Sequence, residues 1–107
     1  MPPLLAGKGN NMIIVHDIFV CKPGNASKMA KMFKETMTEK NVLHIMTDMS
    51  GQYHRVIMVS QYENLAAYEK SFETYKNPTP EMKAAMEKMG NMNDMYTTGS
   101  REIYKVW

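Results

Sequence analysis

The side chains of this chain best suited to chemistry are its three histidines, His16, His44 and His54. Each falls in a stretch of strand-forming residues, at 12–21, 42–49 and 53–62. An imidazole titrates near neutrality, so it suits proton abstraction from a phenol or an activated carbon acid, and it suits metal ligation. The three would share one cleft, with Asp48 beside them, only if the hairpin register puts them on one face. A two-residue turn at Ser50-Gly51 would pair Thr47 with His54 and send His44 to the opposite face. A three-residue turn would put His44 and His54 together. His16 is the candidate catalytic base; its alternative reading is a core or interface histidine with one hydrogen bond. No His-x-His or Glu-x-x-His spacing marks a metal site, so no metal and no cofactor is expected.

Asp17 follows His16 but projects to the other face of a strand, so the two are not a dyad. Water, a backbone amide or a cation is its expected partner. The chain has 13 methionines. Thioethers suit Cu(I), but Met82, Met86 and Met89 recur at helical spacing and read as a packing stripe. Cys21 has no neighbouring histidine and reads as a buried, inert thiol. Tyr53, Tyr62, Tyr104 and Trp107 would line an apolar pocket for a flat ligand, or anchor an interface. The expected ligand-binding set is His44, His54, Met58, Tyr62 and Trp107. There is no phosphate loop, nucleophile elbow or nucleotide fingerprint.

The elements that must position these groups follow from periodicity. Residues 12–21 are β-branched and aromatic and end at Lys22-Pro23-Gly24, which predicts a strand. Both of its alternating faces are mainly apolar, so it belongs in the centre of a sheet, covered on both sides. Asn25 is the expected N-cap of a helix running to about Lys40, with Ala26, Met29, Ala30, Phe33 and Met37 on its apolar stripe. Strands follow at 42–49 and 53–62. Asn64 caps a second helix, whose stripe is Leu65, Tyr68, Phe72 and Tyr75. Asn77-Pro78 breaks it, and Thr79-Pro80-Glu81 restarts a short helix that Gly90 ends. The last stretch, 98–107, reads as an edge strand.

Length and composition bound the rest. At 107 residues the chain is most simply one domain at 12–107, preceded by a flexible arm at 1–11 that is not expected to be a signal peptide. A formal net charge of +2, with no basic block, argues against nucleic acid and anionic membranes. One cysteine excludes an internal disulfide and favours a reducing, cytoplasmic compartment. No apolar run approaches the ~20 residues of a membrane span.

The order strand, helix, strand, strand, helix, strand predicts an α+β, ferredoxin-like βαββαβ unit. It is a four-stranded antiparallel sheet with both helices on one face and the first and third strands central. The other face is then bare and too apolar for water. A second copy of the same sheet is the simplest cover, so the protein is expected to be its own partner, as a homodimer.

Four stretches carry a resemblance over about residues 12–107. They are Phe19-Val20-Cys21-Lys22-Pro23-Gly24 leading into the first helix, Ser50-Gly51 before a hydrophobic strand, Tyr62-Glu63-Asn64-Leu65-Ala66-Ala67-Tyr68, and Gly99-Ser100-Arg101-Glu102-Ile103-Tyr104-Lys105-Val106. In these the chain resembles the dimeric α/β-barrel superfamily, in its NIPSNAP-like and antibiotic-biosynthesis-monooxygenase-like branches. The resemblance implies two ferredoxin-like subunits whose sheets enclose a barrel or cleft. It also implies that the apolar cleft between the sheets binds or oxidises a small aromatic or polyketide-like molecule, as a cofactor-independent monooxygenase if it is an enzyme; the alternative is a non-catalytic binding or assembly module with a filled cavity. Haem-degrading members use an Asn, a Trp and a helix-borne His. No histidine falls on a predicted long helix here, which disfavours that activity.

Overall fold

The computed structural model describes residues 12–50, 53–90 and 94–107, without the side chains of Thr74, Tyr75 and Met89. The elements run β1 (Ile13–Cys21), α1 (Ala26–Thr36), β2 (Val42–Thr47), β3 (Arg55–Tyr62), α2 (Leu65–Ser71), α3 (Glu73–Lys76), α4 (Pro80–Met89) and β4 (Tyr96–Lys105). The strands form one antiparallel sheet in the order β2-β3-β1-β4. This is the ferredoxin-like α+β arrangement, with the first and third strands central as their apolar content requires. The predicted arm at 1–11 lies outside the described residues.

Directly paired residues share a face of a sheet. Val15 pairs with Ser60 and Ile103, Asp17 with Met58 and Arg101, and Phe19 with Val56 and Gly99. These rows face the helices. His16 pairs with Val59 and Glu102, and Ile18 with Ile57 and Ser100. These rows form the open face.

The helix-side core is in two parts. At one end of β1, Cys21, Met29, Phe33 and Val56 are all but fully buried, and the Cys21 thiol points at the Met29 sulfur at 3.6 Å. Burial raises the Cys21 pKa, in keeping with an inert thiol. At the other end Ile13 and Val15 pack on Tyr68. Between these clusters lies the Asp17–Met58–Arg101 row.

Local chemistry moves several boundaries away from the periodic reading. α1 stops at Thr36, short of Lys40. The Thr36 hydroxyl donates back to the Met32 carbonyl at 2.7 Å, and Met37 leaves helical geometry at ψ 75°. β-branched threonines at 36 and 38 make that exit inexpensive. Asn25 does not cap with its side chain. Gly24, at φ +84°, and the Asn25 N–H bond to the Lys22 carbonyl set Asn25 in the αR region. A capping side chain works from extended backbone.

Asn64 and Thr79 do cap as read. Their side-chain oxygens accept from the Ala67 and Met82 amides at 2.8 and 3.2 Å. The second helix is broken into α2 and α3 at Phe72. The Ser71 hydroxyl donates to the Tyr68 carbonyl at 2.5 Å, and the Phe72 N–H tightens onto the Glu69 carbonyl. Of its expected stripe, Tyr68 is buried but Leu65 is 57% exposed. The side chains of Tyr75 and Met89, the last members of the two helical stripes, lie outside the described residues.

The β2–β3 register fits neither of the turns expected at Ser50-Gly51. Thr47 pairs with Val56, and β2 shifts register between Val42 and His44. Residues 48–54 therefore lie between the two strands, and the Arg55 amide donates to Asp48 Oδ1 at 2.7 Å. Gly51 lies outside the described residues.

Candidate functional site

A cavity of about 580 Å³ opens between the helix layer and the sheet, in the gap between the two core clusters. Its floor is the row Met58–Asp17–Arg101, and Tyr62 stands beside it from β3. Tyr68 and Phe72 come from α2 and its end, Met82 and Met86 from α4, and Met37 from the residues where α1 unwinds. Two of the shifts in helix boundaries contribute. The early end of α1 brings Met37 and Glu39 to the cavity wall. The break at Phe72 leaves that ring against the cavity instead of in a continuous helical stripe.

Asp17 and Arg101 form the polar centre, with Nε donating to Oδ1 at 2.6 Å. The Asp17 side chain is 14% exposed and that of Arg101 is 48% exposed. The guanidinium lies 5.7 Å from the Tyr68 ring centroid and 5.6 Å from that of Phe72, within cation–π range. Its hydrogen bond to Asp17 holds the Arg101 pKa above the ordinary guanidinium range. Tyr62, Tyr68 and Phe72 meet edge to face, at 4.9 and 5.0 Å between successive centroids. Burial pushes the Tyr68 phenol above its usual pKa, against the pull of Arg101. The Tyr68 hydroxyl is buried and has no hydrogen-bond partner among the described residues.

The cavity therefore offers aromatic faces, polarisable thioethers, one neutralised ion pair and a protonated phenol. This is equipment for holding a flat molecule. Asp17 is committed to Arg101 and is not a free base.

The histidines lie elsewhere. His16 sits half-buried at the centre of the open face, its ring 5.1 Å from Tyr104 in a T-shaped contact. The Tyr104 hydroxyl donates to the Glu102 carboxylate at 2.6 Å, one strand over. His44 lies on the same face and pairs with Val59 from the other side. One strand thus separates the two imidazoles, a spacing of about 10 Å.

His54 joins neither set. It precedes β3 in the left-handed region, at φ 63°, and its carbonyl accepts the Cys21 amide at 2.7 Å. Asp48 accepts the Arg55 amide within the β2–β3 connection, and no contact joins it to His16 or His44 among the described residues. Trp107 is 99% exposed, with the Lys105 ammonium 4.2 Å over its ring. The expected ligand set is therefore divided: Met58 and Tyr62 line the cavity, His44 is on the opposite face, and His54 and Trp107 are at neither. Among the described residues no group of three His, Cys, Asp or Glu side chains is placed to hold a metal ion. No helix among them is long and apolar enough to cross a membrane.

Arg101, Tyr68 and Phe72 were not legible as site residues. Arg101 reads as ordinary edge-strand polarity and the two rings as helix core. The only signal was Asp17, a charge in an otherwise apolar strand, and its partner depends on the β1–β4 register.

The fold and cavity together define a ferredoxin-like α+β domain with a pocket between its layers. No family model matches the chain, and no curated protein matches it. Solved structures do. A NIPSNAP-like domain protein from Burkholderia xenovorans superposes with a TM-score of 0.69 at 15% identity, covering 92% of this chain and 96% of that one. A NIPSNAP family protein from Agrobacterium tumefaciens gives 0.70 at 14% identity, covering 92% of this chain and 88% of that one. A candidate antibiotic biosynthesis monooxygenase from Caulobacter crescentus gives 0.60 at 19% identity, covering 92% of each. The chain thus has the fold of the NIPSNAP-like and antibiotic-biosynthesis-monooxygenase-like proteins.

Proposed function

We propose that this protein is a small-molecule-binding module, working as a homodimer, whose helix–sheet cavity takes a flat, largely apolar molecule of aromatic or polyketide-like character. The observation that carries the reading is the cavity itself. Its volume of about 580 Å³ is within the range of small-molecule sites, and aromatic rings and thioethers from the sheet and the helix layer both line it. Met37, Met58, Met82 and Met86 all border it. Unbranched thioethers adapt to a ligand's outline and make favourable contacts with its rings.

The dimer reading rests on the open face. Ile14, Ile18, Val20 and Ile57 are only partly covered there, and Ile18 and Ile57 pair directly across β1 and β3. A second sheet laid on the first would bury them. Native mass spectrometry of the untreated protein tests both parts. A dimer with bound organic mass supports the reading, and a monomer removes its assembly half. Met58→Trp should fill the cavity and abolish retention of that mass while the protein stays folded; retention by the filled variant would remove the binding half.

A second reading is a cofactor-independent oxygenase with His16 as the base. It draws on the position of His16 at the centre of the open face against Tyr104, and on the fold likeness to the Caulobacter protein. Here the reaction would occur between the sheets of the dimer, away from the helix-side cavity. His16→Ala should then abolish oxygen consumption with a phenolic substrate and leave the fold intact; unchanged turnover rejects the role.

A further inference from the structure

The cavity also carries a charge pattern that selects among flat ligands. Its described lining includes three carboxylates, Asp17, Glu39 and Glu81, and a single cation, Arg101. Asp17 and Arg101 cancel one another at 2.6 Å. Glu39 and Glu81 form no ion pair among the described residues, and both are exposed. The wall is therefore negative by two charges, although the chain as a whole is formally +2. Long-range attraction does not account for that sign; it is local to the cavity.

The aromatic walls point the same way. Arg101 already lies against the Tyr68 and Phe72 rings at 5.7 and 5.6 Å, so these rings accept a delocalised cation. Ring faces are electron-rich, and a flat cation gains from them as well as from the carboxylates. An anion would meet two uncompensated carboxylates and a guanidinium whose Nε is already bonded to Asp17.

Resting on the cavity reading above, we infer that the preferred occupant is a planar aromatic cation, an amine or quaternary ammonium joined to a flat ring system, and that the site discriminates against aromatic acids. Each exposed carboxylate should contribute about two- to five-fold in affinity, and the pair on the order of ten-fold. This preference should shrink as salt rises.

Isothermal titration calorimetry on the full chain tests it with three probes of one ring size: naphthylmethyl-trimethylammonium, naphthylmethanol and naphthylacetate. The expected order is cation, then alcohol, then acid, with a cation-to-alcohol ratio of about ten. In the Glu39→Gln/Glu81→Gln variant that ratio should fall toward one. Equal binding of the three probes, or tightest binding of the acid, overturns the charge selection while leaving the cavity as a binding site. A ratio that survives the double variant overturns the assignment to these two carboxylates. Binding of none of the three overturns the cavity reading and this inference with it.

Discussion

The two faces of the sheet are built from the same four strands and are finished differently. On the helix side, Phe33, Met29, Val15 and Val56 are fully buried, yet the layer is interrupted in the middle by an ion pair and a cavity. On the open side no helix among the described residues covers the apolar row Ile57–Ile18, but the centre is occupied by His16, Tyr104 and Glu102. Each face is thus apolar with a polar centre, and they differ in what surrounds that centre. Asp17 and Arg101 lie among rings that limit water, while His16 and His44 look outward. The lesson is that one strand, β1, supplies both centres by alternation. Asp17 and His16 are chain neighbours that never share a site.

The sharpest way to break this contrast is to truncate one side chain on each face. Phe33→Ala should cost about 3–5 kcal/mol in urea unfolding, because it empties a closed core. Ile18→Ala on the open face should cost far less in a protomer, and its cost should depend on protein concentration if a second sheet covers it. Equal, concentration-independent losses would mean that the open face is not an assembly surface.

Next in size is the ion pair. Arg101→Met strands a largely covered carboxylate and should destabilise by about 1–2 kcal/mol, after discounting for the half-exposed arginine. Adding Asp17→Asn should recover part of the loss. A double variant no more stable than Arg101→Met alone would show that the two residues are not coupled.

Tyr68→Phe sharpens the picture of the cavity wall. Removing a buried hydroxyl with no partner should be neutral or stabilise by up to ~1 kcal/mol. The pH dependence follows from the raised phenol pKa. Above about pH 10 the unfolded chain loses this proton while the folded chain keeps it. The stability contributed by Tyr68 is therefore intact below that value and is lost as pH rises through the folded pKa. The variant should show a shallower alkaline decline than the parent protein; an identical decline would place the phenol in water.

The smallest expected effect is at His54. Its left-handed backbone costs a non-glycine residue about 1 kcal/mol, so His54→Gly should stabilise by up to that amount. Binding of any cavity ligand should be unaffected. A loss of binding would return His54 to the ligand set.

The sequence by itself determined the element order, the central place of β1 and β3, and the capping of α2 and α4 by Asn64 and Thr79. These rest on periodicity, β propensity and side chain–backbone chemistry, all local and all readable along the chain. It also separated Asp17 from His16, because strand alternation is a covalent fact. Only the tertiary structure decided which residues meet. The β1–β4 register put Arg101 opposite Asp17 across 84 residues of chain, and the placing of His54 before β3 removed it from the histidine row. The unwinding of α1 and the break at Phe72 then opened a cavity where periodicity predicted continuous helix. Register and helix ends are set by competition between nearly equal hydrogen-bonding choices. Long-range packing settles that competition, and no short stretch of sequence contains it.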